Sequence, residues 1–99
     1  MNDLDDLRKI LPELCQRYEI DYVDVFGSLA RGEALKDSDI DLIIEFKEPK
    51  QKDISGRFFG FLHSLEDSFG KRVDLLTPRS IRNPILKKTI ERDRIRIYG

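Results

Sequence analysis

Ninety-nine residues, 39% hydrophobic and 37% charged with a net charge of −1, predict one globular domain, residues 1–99, with a small core. The composition excludes a disordered chain, and no apolar run approaches the roughly 20 residues of a membrane helix. The N-terminus is acidic and the one cysteine, Cys15, has no partner for a disulfide, so a cytoplasmic protein with Cys15 as a small core hydrophobe is expected.

Leu4, Leu7, Leu11, Leu14 and Tyr18 recur every three or four residues. They predict an amphipathic helix capped by Asn2 or Asp3, with Pro12 kinking or restarting it. Residues 21–26, DYVDVF, alternate aspartate with Tyr or Val, the pattern of a strand with one buried face. Gly27 and Ser28 end that strand, and residues 29–35 leave room only for a short helix. Residues 40–46, IDLIIEF, predict a second strand, and the charged loop KEPKQKD follows it. Ile54, Phe58, Phe61, Leu62, Leu65 and Phe69 keep the 3.6-residue period of a second long helix, with Gly70 as its C-terminal cap. At this spacing its phenylalanines, Phe59 included, read as a core face, and the lone His63 as a surface residue.

Residues 72–76, RVDLL, predict a third strand closed by Thr77-Pro78. Ile81, Ile85, Leu86 and Ile90 mark a last helix, and RIRIY alternates as an edge strand. The order predicts an α/β (α+β) domain, a small mixed β-sheet packed with helices. Charge is uneven along it: Arg79, Arg82, Lys87, Lys88, Arg92, Arg94 and Arg96 stand against only Glu91 and Asp93. Spread through a helix and a strand, they read as a solvated face, with nucleic acid or an acidic partner as the secondary reading.

The chemistry concentrates in GSLARGEALKDSDIDL, residues 27–42. Strand side chains alternate, so Asp39 and Asp41 project to one side, roughly 6–7 Å apart at the backbone, opposite Ile40, Leu42 and Ile44. Asp74, between Val73 and Leu75, repeats the arrangement in the third strand. If the two strands pair, three carboxylates converge. Two carboxylates about 4 Å apart repel by about 4 kcal/mol at an effective dielectric near 20, so such a cluster takes up protons or binds cations. Oxygen donors without His or Cys indicate Mg²⁺ or Mn²⁺. A metal held by Asp39, Asp41 and Asp74 turns the anion-repelling cluster into a site for a triphosphate. Gly27 lets backbone approach phosphate, Ser28 offers a hydroxyl and N–H groups at the start of a helix, and Arg31 supplies a guanidinium fork.

A calcium loop is the rival metal site. Asp37, Asp39, Asp41 and Glu48 fit its first, third, fifth and twelfth positions, but Leu42 occupies the sixth, where the turn needs glycine. Asp37 is then a turn or capping residue, and Lys36 an exposed loop residue.

Gly27-Ser28, Arg31-Gly32, Ser38-Asp39-Ile40-Asp41-Leu42 and the later Asp74 together resemble the nucleotidyltransferases of the DNA polymerase beta superfamily. The small size and the form GSLARG are most similar to the minimal nucleotidyltransferases (MNT), antitoxin-like partners of HEPN-domain toxins. The resemblance covers essentially the whole chain in element order. It implies that Gly27 and Ser28 hold the triphosphate, that Asp39 and Asp41 bind two Mg²⁺ ions, and that Asp74 binds the catalytic one and helps activate the attacking hydroxyl. It further implies transfer of AMP from ATP to a tyrosine of a HEPN toxin. A module that neutralises its partner by contact alone is the alternative. Larger relatives grip base and acceptor with an additional domain, for which this chain has no room.

Overall fold

The computed structural model describes residues 3–48 and 53–99. The predicted cap Asn2 and residues 49–52 of the charged loop lie outside them. Its elements run α1 (Asp3–Arg17), β1 (Ile20–Phe26), α2 (Gly27–Ala30), β2 (Ile40–Phe46), α3 (Ile54–Phe69), β3 (Val73–Leu76), a 3₁₀ turn (Pro78–Ser80), α4 (Pro84–Asp93) and β4 (Ile95–Tyr98). The four strands form one mixed sheet in the order β3-β2-β1-β4. β1 pairs antiparallel with both β2 and β4, while β2 and β3, joined through α3, run parallel.

Both faces of the sheet are covered. Ile40, Leu42, Ile44 and Phe46 of β2 and Val23 and Val25 of β1 pack against Leu7, Leu11, Leu14 and Cys15 of α1 and Phe61 and Leu65 of α3. Ile43 and Phe26 point the other way, onto Ile90 of α4. The near-continuous apolar run of β2 is thus that of a strand buried on both faces. Phe59, by contrast with Phe61, is 53% exposed.

Several local expectations change. α1 runs through Pro12 as one helix. Three acidic residues, Asp3, Asp5 and Asp6, occupy its first turn, where they complement the partial positive charge of the helix end. The last helix starts at Pro84, capped by the Asn83 side chain, which accepts from the Ile85 and Leu86 N–H groups. Ile81 stays outside it, and of its expected apolar face only Ile90 is buried. Gly70 closes α3 as expected, with φ 61° and its N–H on the Glu66 carbonyl. Among the described residues no helix is long and apolar enough to cross a membrane.

Candidate active site

The site lies where β1 ends, β2 begins and β3 lies alongside. A tight turn delivers β2: the Ser38 hydroxyl accepts from Leu35 N–H at 2.8 Å, and Ser38 N–H returns to the Leu35 carbonyl at 3.0 Å. Asp39 follows that turn, precedes the strand and is exposed. Asp41 is the second residue of β2 and half-buried, facing Phe26 on one side and Asp74 on the other.

The Asp41 and Asp74 carboxyls approach closely enough to share a proton. Burial, then the charge and hydrogen bond of Asp74, then the charge of Asp39 push Asp41 up to about 6, with Arg31 pulling the other way. Asp74 also meets the Arg72 guanidinium at 3.4 Å. Two of the three expected carboxylates are therefore brought together, and Asp39 stands apart from them. Among the described residues, no three His, Cys, Asp or Glu side chains are close enough to hold a metal ion as they lie. The like charge of the three aspartates opposes a closer approach. The donor set still fits a hard divalent cation, since it offers oxygen alone and a repulsion that positive charge relieves.

Gly27 follows Phe26 directly and is part of the same wall. Its φ is +71° and a Cβ there would run into the Asp41 carboxyl, lying 3.2 Å from Asp41 Cγ. Only glycine brings the chain this close to Asp41. Ser28 is half-buried in α2. This helix is a single turn, so its dipole is small, and its N–H groups rather than a macrodipole are what it offers an anion.

Arg31 departs from the expectation of a phosphate fork. Its Nε donates to Glu33 at 3.0 Å and its Nη1 to Asp93 at 2.9 Å, tying the end of α2 to the end of α4. These bonds, Glu33 first and Asp93 second, raise its affinity for its proton, while Arg92 and then Arg31 hold Asp93 below the usual carboxylate range. The calcium loop is excluded, because β2 starts at Ile40 and Leu42 is fully buried. His63 is exposed on α3 and Cys15 is fully buried.

Asp24 was legible only as one aspartate of an alternating strand, with the exposed side as its expected place. It is 3% exposed, on the sheet face that carries Asp41 and Ile43. Arg94 bonds it at 2.7 Å and Arg96 closes on its other oxygen. Two residues of the basic segment are thus internal counter-ions. The signal was in RIRIY, whose alternation puts both arginines on one face.

The profile of the nucleotidyltransferase domain family matches residues 7–97. A protein adenylyltransferase of Methanocaldococcus jannaschii is 38% identical over 99 residues, covering 96% of this chain and 98% of that one. Protein adenylyltransferase MntA of Thermococcus cleftensis is 35% identical over 95 residues, covering 91% and 92%. A solved minimal nucleotidyltransferase superposes with a TM-score of 0.73 at 36% identity and 95% coverage of both chains. A chain of the complex of the tri-AMPylated Shewanella oneidensis HEPN toxin with its MNT antitoxin shares the fold, with a TM-score of 0.65 at 15% identity over 97% of this chain and 72% of that one. By its family match and its full-length relatives, the chain belongs to the nucleotidyltransferase domain family, as an enzyme of the minimal nucleotidyltransferase kind.

Proposed function

We propose that this enzyme transfers AMP from ATP to a tyrosine hydroxyl of a HEPN-domain toxin, and so acts as its antitoxin. The observation that carries the reading is the Asp41–Asp74 pair, abutted by the Gly27 backbone. Supporting it are relatives that bear the name protein adenylyltransferase and a fold shared with an MNT antitoxin whose HEPN toxin carries AMP groups.

Asp39, Asp41 and Asp74 would hold Mg²⁺, with Mn²⁺ as a substitute, and two ions are the expected complement. Bound there, the metal supplies positive charge that offsets the triphosphate and the charge developing at the α-phosphorus. Asp39, exposed in the turn before β2, would complete the donor set. The backbone at Gly27 lies against the triphosphate, and the Ser28 hydroxyl donates to one of its oxygens. Arg31 positions α2 against α4 and lends long-range positive charge rather than a direct fork. Asp74 accepts the proton of the acceptor hydroxyl, whose oxygen bonds to the α-phosphorus. The bond from that phosphorus to the bridging oxygen breaks, and pyrophosphate leaves with the electron pair.

Co-expression with the HEPN-domain protein encoded nearest to it tests this, followed by intact-mass measurement of that protein. An AMP adduct on tyrosine, absent with Asp39→Asn/Asp41→Asn, is the expected result. A neutralised partner without any adduct would replace chemistry with contact.

A further inference from the structure

Phe26, Asp41 and Asp74 form a register row across three neighbouring strands, and Gly27 follows Phe26 at one end of it. Strands lie about 4.8 Å apart, so the row spans roughly 10 Å. In-line displacement needs the attacking oxygen opposite the leaving group. With the pyrophosphate at Gly27 and Ser28, the acceptor has to arrive from the Asp74 end.

That end opens into a cleft of about 570 Å³ whose lining includes both Asp41 and Asp74 together with Phe26, Leu62, Leu76 and Leu86. Leu86 is 41% exposed although apolar, and it sits on the helix expected to bury it. An exposed leucine beside a pair of carboxylates is poor surface chemistry unless something apolar covers it.

We propose that this cleft is the acceptor seat, and that Leu76 and Leu86, on the sheet face that carries Asp74, grip the ring of a phenolic side chain whose hydroxyl reaches Asp74. The inference rests on the reading above and adds the residues that select the acceptor. Charge argues for this occupant over a nucleic-acid end. A phosphodiester here would meet Asp41, Asp74 and Glu66, with Arg72 the cation of the lining and already on Asp74 at 3.4 Å. A serine or threonine hydroxyl, one carbon from its backbone, leaves the leucine walls wet. A tyrosine ring fills them and carries its oxygen to the far end.

Steady-state transfer to a tyrosine-bearing acceptor gives the first test. Leu86→Glu raises the acceptor KM by about tenfold or more with kcat changed less than about twofold, while Ile85→Glu, on the same helix, 77% exposed and outside the cleft lining, stays near wild type. An unchanged KM in Leu86→Glu overturns the seat. Methyl NMR of the wild-type protein gives a readout that needs no turnover. N-acetyl-tyrosinamide shifts the Leu76 and Leu86 methyls saturably and N-acetyl-serinamide does not. If AMP moves these methyls instead, or nothing does, the seat is wrong whatever the enzyme transfers. An inactive enzyme with the tyrosine shifts intact counts against the transfer reading alone.

Discussion

Asp41 and Asp74 occupy one register position in two parallel strands, close enough to share a proton and half-buried between the Gly27 backbone and an apolar cleft. A pair of this kind is a standing cost to an empty protein. Asp41, raised to about 6 from an ordinary 3.8, favours the folded state when protonated. That contribution is complete below about 3.8 and is lost as pH climbs through 6, so at neutral pH the charged pair destabilises.

Asp41→Asn therefore stabilises the metal-free protein at pH 7.5 while abolishing transfer. About 1 kcal/mol, or roughly 5 °C in a domain of this size, is expected after allowing for solvent screening of a half-exposed group. At pH 5 the gain shrinks. Mg²⁺ raises the melting temperature of the wild type by mass action and leaves that of the variant unmoved. Thermal denaturation with and without Mg²⁺ at the two pH values checks all three statements.

Gly27→Ala suffers twice, from a φ of +71° and from the approach to Asp41. A loss of about 1–3 kcal/mol is expected, together with weakened Mg²⁺-ATP binding, because the displaced groups are the site itself. Urea unfolding and calorimetric titration with ATP separate the two effects.

Much of this site was legible beforehand because its parts are local. Strand alternation put Asp41 and Asp74 opposite the buried Leu42 and Leu75, and the parallel pairing of β2 with β3 then aligned them. What depends on contacts distant in sequence was not legible. Arg31 is claimed by Asp93, 62 residues on, and Asp24 by Arg94 and Arg96, 70 and 72 residues on. Asp39 lies in the turn one residue before the strand, where alternation has no authority over side-chain direction. α4 misled because Ile81 packs against the core from outside the helix, while Ile85 and Leu86, inside it, are exposed.

Asp24 anchors the C-terminal edge strand through two arginines, one of them stacked 4.1 Å over the Tyr22 ring. Asp24→Ala strands their charges beside an apolar face. About 2–3 kcal/mol is the expected loss, below the 3–5 of a fully buried pair because Arg96 is half exposed. Urea unfolding measures it, and amide exchange in β4 should accelerate first.

Cys15 is fully buried, and that burial pushes its thiol up to about 12, with Lys47 pulling weakly the other way. Its reaction with a disulfide reagent at pH 8 is expected only on unfolding. The folded state favours the neutral thiol, a contribution intact below about 9 and lost as pH rises toward 12. The stability gap between wild type and Cys15→Ala should accordingly narrow between pH 8 and pH 10.5, as read from urea midpoints.

The most direct measurement incubates the purified enzyme and the HEPN-domain protein proposed as its acceptor with Mg²⁺ and ATP labelled with ³²P at either the α or the γ position. The account predicts label on the partner from α-labelled ATP alone, abolished by chelator and by Asp41→Asn. Label arriving from the γ position, or α-label that survives Asp41→Asn, would contradict it.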